Sequence, residues 1–188
     1  MSVAEWVQLS KQDEKQAIRL AFETYYRQLS SLSLRLGKNA VQAEEMMYYS
    51  FYNCISKLRF QLKSLNLDEI FKAEFIRGCV SYVKSFGKEY FVSSTVDALR
   101  DKETETPSAL AKHLTDFSKL QSELFLEALR NLVPAQRLVF NLVIVDGYTL
   151  QQAAELLECS PEAAKFNLEK AQLNFNKQIL KVSPSSNA

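Results

Sequence analysis

Large apolar residues recur at every third or fourth position through most of this chain. Long uninterrupted runs of that spacing bury one continuous face only when each run coils as an α-helix. From Asp13 to Leu36 the repeat is Ile18, Phe22, Tyr25, Leu29, Leu32 and Leu36, and Gly37 ends it. A second run starts near Val41 and carries Ala43, Met46, Met47, Phe51, Cys54, Ile55 and Leu58, with Tyr48, Tyr49 and Tyr52 on other faces. After a polar stretch from Gln61 to Asn66, a third helix is expected from Leu67 to Phe86. It repeats Ile70, Phe71, Phe75, Cys79, Tyr82, Val83 and Phe86, with Asp68 as the expected cap and Gly87 as the stop. Only four Gly and four Pro occur in 188 residues, too few tight-turn formers for a fold of many hairpins. The chain is expected to be all-α.

The pattern loosens between Ser93 and Lys119. Residues 101–108 hold no large apolar side chain and include Pro107, so 93–121 reads as an exposed linker. Periodicity returns at Ser122 with Phe125, Ala128, Leu129 and Leu132, breaks at Val133-Pro134, and resumes through Val139, Phe140, Leu142, Val143 and Ile144 to Gly147. The expected layout is a three-helix bundle within residues 1–92, the linker, a four-helix domain over 122–182, and a disordered tail at 183–188.

Several function classes drop out on chemistry. The net charge is +1, so no uniform basic field exists to hold a polyanion, and nucleic-acid binding would have to come from local patches. Cys54, Cys79 and Cys159 are odd in number and lack CxxC spacing, which argues for reduced thiols rather than a zinc site or a disulfide framework. His113, the only histidine, has Asp116 as its sole neighbour at helical spacing, so neither a metal site nor a catalytic base is expected. No glycine-rich phosphate loop and no nucleophile–base pair is present, and neither an enzyme nor a cofactor is expected. Charges follow Trp6 within a few residues and no run approaches ~20 apolar residues, so a soluble, cytoplasmic protein with no membrane partner is expected. Trp6 itself reads as cover for a core edge.

The most informative segment begins at Gly147. Thr149 stands three residues before Gln152, the spacing of a capping box, and opens a short helix ending at Leu157. Ser160-Pro161-Glu162 then supplies a second cap, a proline at the first helical position and an acid beside the positive helix end. Two helices joined by so short a turn form a helix-turn-helix.

In its wider setting, this segment resembles region four of bacterial RNA polymerase sigma factors, the extracytoplasmic-function subfamily in particular. The resemblance rests on Ala128-Leu129, Leu132, Pro134, Gln136-Arg137, Val139-Phe140, Leu142, Gly147, Thr149, Ala154, Leu156-Leu157, Ser160, Lys165, Leu168 and Ala171. The N-terminal half resembles region two through Tyr25-Tyr26 and Leu29, Ala43-Glu44-Glu45 with Phe51, and Phe71, Ala73, Phe75 and Arg77. That kinship implies a two-domain transcription-initiation subunit. Glu44 and Glu45 would touch core RNA polymerase; Arg77, Lys84 and Lys88 the upstream promoter strand; and Lys165, Asn167 and Lys170 the major groove of promoter DNA.

The side chains of the last helix depart from that role. At about 100° per residue, Ala164, Leu168, Ala171, Phe175 and Ile179 share the core-facing side. The opposite side then carries Glu162, Phe166, Glu169 and Leu173, where a groove-reading helix favours Arg, Lys, Asn or Gln. Residues 123–188 hold six Lys and Arg against seven acids, net −1, and residues 1–91 hold 13 against 10, net +3. The expected function is therefore promoter-directed initiation with core polymerase. The rival is a sigma-derived interaction protein that binds an anti-sigma protein, another sigma factor or a second copy of itself through Glu162, Phe166, Glu169 and Leu173.

Overall fold

The structure is a computed structural model that describes residues 3–58, 66–86 and 122–182. The expected linker 93–121, the tail 183–188, and Gly87, Lys88 and His113 lie outside the described residues. Regular structure among the described residues is helical, with no strand, as the apolar spacing requires. Contacts divide the chain into two units, Met1–Val83 and Lys84–Ala188.

The first unit is built on α1 (Val3–Gln12), α2 (Glu14–Leu36), α3 (Ala40–Leu58) and α4 (Leu67–Ser85). Helix α1 is an addition to the three helices expected, because its one large aromatic does not make a repeat. Trp6 is nonetheless fully buried and donates from Nε1 to the Ala17 carbonyl at 3.2 Å, which ties α1 to α2. The break between the two helices falls at Asp13, whose carboxylate accepts from the Gln16 amide at 3.0 Å and so caps α2.

Gly37 ends α2 in extended backbone, with φ −74° and ψ 149°. Its glycine answers crowding, not a left-handed turn: a Cβ there would lie 2.9 Å from the Ala43 backbone. The core between α2, α3 and α4 is aromatic. The Tyr25 and Phe71 rings stack at 4.3 Å, Phe22 meets Phe51 edge-on at 5.3 Å, and the Tyr25 hydroxyl donates to Asp68. That bond corrects the expected cap of α4. Asn66 does the capping, its side-chain oxygen accepting from the Asp68 amide at 3.0 Å, while the Asp68 carboxylate is taken by Tyr25. Phe86, expected in the buried repeat, sits one residue past the helix and is 57% exposed.

The second unit comprises α5 (Ser122–Arg130), α6 (Pro134–Phe140) running into a π-helical segment (Asn141–Val145), α7 (Leu150–Leu157) and α8 (Pro161–Val182). The apolar repeat read as one helix to Gly147 thus widens at Asn141. There the Asp146 amide bonds the carbonyl five residues back at 2.9 Å, and the buried Asn141 side chain donates to the Arg137 carbonyl at 2.8 Å. Phe140 stacks on Phe175 at 4.8 Å within a core of Ala128, Leu129, Leu132, Ala171 and Ile179. Leu168, expected to face that core, is half-buried.

Candidate functional site

The helix-turn-helix is formed by α7 and α8. The Gln152 amide donates to Thr149 Oγ1 at 3.2 Å and the Thr149 amide donates to Gln152 Oε1 at 2.9 Å, so both halves of the capping box are present. The turn is made at Glu158, whose φ of 55° and ψ of 48° place it in the left-handed region that most residues avoid. Ser160 then caps α8, its hydroxyl accepting from the Ala163 amide at 3.1 Å. Buried Ala153, Ala154, Leu156 and Leu157 hold α7 against its neighbours. A cross-link from α6 fixes α8 further along: the Asn174 side chain donates to Gln136 Oε1 at 3.0 Å.

On α8 the three expected groove-reading side chains are differently placed. Lys165 is exposed. Asn167 is half-buried and donates to the Ala163 carbonyl at 2.9 Å, so its amide hydrogen is engaged within the helix. The Lys170 ammonium lies 5.6 Å from the centre of the Phe166 ring, a cation–π arrangement that draws it along the helix surface. Of the acidic and apolar set opposite the core, Glu162 is exposed, whereas Phe166, Glu169 and Leu173 are half-buried.

In the first unit, Glu44 is exposed on α3 and makes no hydrogen bond or ion pair among the described residues. Glu45, one residue on, accepts from the Tyr82 hydroxyl at 2.7 Å and so braces α3 to α4. Burial, reinforced by that hydrogen bond to a carboxylate, pushes the Tyr82 phenol up to about 12. Arg77 donates to Glu74 Oε1 at 2.6 Å, and Glu74 also meets Lys57 Nζ at 3.0 Å, so two cations share one carboxylate whose side chain is 11% exposed. Lys84 stands in the last turn of α4. The structure brings Arg77 and Lys84 onto one helix and Lys165, Asn167 and Lys170 onto another.

Sequence reasoning missed the side chains that hold these positions. Asp68 under Tyr25, Glu74 between Lys57 and Arg77, and Gln136 against Asn174 are all polar residues whose partner is on another helix or one turn away, and no local pattern marks them. Met46 and Met47 with Tyr48 and Tyr49 did mark something: the first pair is buried and the second exposed, so α3 presents an aromatic flank beside Glu44.

A helical unit joined to a second one that carries two capped helices across a short turn defines an all-α protein with a helix-turn-helix. Comparison with known families narrows it: residues 122–171 match the model described as sigma-70, region 4. Among solved structures, the chain is similar to the sigma factor RpoE from Bartonella quintana, seen in co-crystal with the anti-sigma factor NepR. The likeness has a TM-score of 0.56 at 17% identity and covers 88% of this chain and 98% of that one, which shows the shared fold. No curated protein matches. The two findings bear out the sigma-factor resemblance carried by the sequence.

Proposed function

We propose that this chain is a sigma-like initiation factor of the extracytoplasmic-function type, which binds core RNA polymerase and directs it to promoter DNA. In this reading residues 1–92 act as region two, 93–121 as the linker and 122–182 as region four. Glu44 and Glu45 contact polymerase; both are exposed, and Glu45 alone of the pair is engaged by the Tyr82 hydroxyl. Arg77, Lys84 and Lys88 serve the upstream promoter strand, and Lys165, Asn167 and Lys170 serve the major groove. The work is binding and positioning, without covalent chemistry, and takes place in the cytoplasm. The observation that carries the reading is the complete capping box of α7 followed by a capped α8, within the residues that match sigma-70 region 4. Core polymerase pull-down followed by in vitro transcription tests it. Association and promoter-dependent transcripts are expected, and failure to associate with core enzyme overturns it.

A second reading is favoured by a specific observation: the Asn167 amide and the Lys170 ammonium are engaged on their own helix. A sigma-fold protein that has ceased to read DNA would act through a protein partner, of which an anti-sigma protein is one class, or through a second copy of itself. Duplex-DNA affinity measured against salt separates the two. If Lys165 and one or two further cations each neutralise a phosphate, the log–log slope is about −2 to −3, roughly a tenfold to fortyfold loss between 50 and 200 mM salt. Absence of salt-dependent binding supports the interaction protein. Sedimentation adds a further test, since a homodimer broken by Phe166→Glu supports self-association.

A further inference from the structure

Between α2 and α3 runs a groove of about 310 Å³ whose chemistry is unusual for a helix-pair crevice. One wall is supplied by Tyr26, Ser30 and Ser33 of α2, the other by Glu44, Met47 and Tyr48 of α3. The two tyrosines are half exposed, at 46% and 52%, although rings of that size usually bury more of their surface. The Tyr26 ring is held in place by Phe22, 5.1 Å away centre to centre, and Phe22 is itself wedged against Phe51. Ser33 is 1% exposed and its hydroxyl has no hydrogen-bond partner among the described residues. A buried hydroxyl left unmet beside an open groove is a cost that a bound donor would relieve.

Charge decides what the donor is. Among the described residues that line the groove Glu44 is the one charged side chain, and Arg27, Arg35 and Lys38, the described cations nearest in sequence, do not line it. Two exposed tyrosine rings, a carboxylate that makes no hydrogen bond or ion pair among the described residues and two serine hydroxyls suit a group that is cationic, flat and rich in N–H donors. A guanidinium meets all three conditions: it stacks on aromatic faces, pairs with a carboxylate through two parallel hydrogen bonds and is weakly hydrated. An ammonium offers no plane to stack and holds its water more tightly.

We propose that this groove is a receptor for an arginine side chain presented by a protein partner, with Tyr26 and Tyr48 flanking the guanidinium, Glu44 pairing with it, and the Ser30 and Ser33 hydroxyls accepting its remaining N–H groups. The inference rests on the reading of Glu44 as a contact residue and gives that contact its chemistry.

The test titrates the full chain with N-acetyl-arginine amide, following the tyrosine-ring and Ser33 resonances by NMR. N-acetyl-citrulline amide serves as the neutral isostere and N-acetyl-lysine amide as the compact cation. Saturable shifts at Tyr26, Tyr48 and Ser33 are expected with the arginine probe. Binding should be at least tenfold weaker for citrulline, for Glu44→Gln and for Tyr48→Ala, each variant keeping the wild-type thermal midpoint within a few degrees. Equal binding of the lysine probe overturns the guanidinium assignment, and absence of saturable shifts, or shifts indifferent to Glu44→Gln, overturns the receptor. Core polymerase pull-down is run on the same proteins. Association without arginine binding overturns the receptor alone; arginine binding without association overturns the polymerase contact alone and supports the receptor for another partner.

Discussion

Replacing Gly78 with alanine should destabilise the first unit, although every local rule favours the change. Gly78 lies inside α4, where alanine is the better helix former by about 1 kcal/mol, and a buried methyl group contributes about 0.8 kcal/mol more. The obstacle is α3. A Cβ on residue 78 would lie 2.8 Å from the Ser50 Cα and 2.9 Å from its Cβ, closer than such carbon atoms approach. The obstructing atoms belong to the backbone or are fixed to it, so no rotamer change clears them and the two helices must separate. Separation loosens contacts around fully buried Cys54, Phe75 and Cys79. Forced overpacking costs about 1–3 kcal/mol, and an obstacle that cannot rotate away belongs at the upper end or beyond. Against the gains, the net loss is about 1–2 kcal/mol, which for a unit of this size lowers the midpoint by roughly 4–15 °C. Trp6 is the only tryptophan in the chain and is fully buried in this unit, so its fluorescence reports unfolding of this unit specifically. Urea and thermal transitions followed by Trp6 emission should both shift. A Gly78→Ala protein as stable as the wild type, or more so, would refute the claim that glycine is there to let α3 and α4 touch.

Three further outcomes are expected. Thr149→Ala removes one half of the capping box and should cost about 1 kcal/mol in the second unit, read from the far-UV circular dichroism melt. With a disulfide reagent at pH 8, half-buried Cys159 should react first, while Cys54 and Cys79, both fully buried and with burial pushing the Cys79 thiol up to about 12, should wait for unfolding. The Tyr82 phenol titrates near 10 when unfolded and about 12 when folded, so its contribution is complete below pH 10 and is lost as pH rises through 12. The urea midpoint by Trp6 emission should fall across that window, and less steeply in Tyr82→Phe.

The fold was legible because burial in helices follows a local period. The repeats through Leu29, Leu32 and Leu36, through Met46, Phe51, Cys54 and Leu58, and through Phe71, Phe75 and Cys79 each end in a buried face. The capping box at Thr149 was equally legible, since all of its atoms lie within four residues. What escaped were features decided by contacts distant in sequence. Helix α1 is held by one tryptophan reaching a carbonyl 11 residues away, and one aromatic is not a period. Asp68 has the composition of a cap, but the Tyr25 hydroxyl, 43 residues earlier, claims its carboxylate, and Asn66 caps instead. The π-helical widening at Asn141 leaves the apolar repeat intact and shifts only hydrogen bonds, so periodicity cannot reveal it.

That the candidate residues lie on helices was legible in the sequence, whereas the state of their side chains was not, and the difference is electrostatic. Reading Arg77, Glu45 and Lys170 from sequence identifies charged groups on helices and assumes that each projects into water with its charge available. In the fold Glu74 takes Arg77, the Tyr82 hydroxyl takes Glu45, and the Phe166 ring draws in Lys170. Each engagement is intramolecular, and so is present before any partner arrives. A polymerase or DNA contact through these groups has to exchange an existing interaction for a new one, and gains only the difference between them. Glu44 and Lys165 carry no such exchange: both are exposed, and neither makes a hydrogen bond or ion pair among the described residues. The physical ranking within the candidate set therefore places Glu44 first for a protein partner and Lys165 first for a phosphate. Substituting these two should weaken binding more than substituting Glu45 or Asn167, although the four cannot be ranked that way from residue type and spacing.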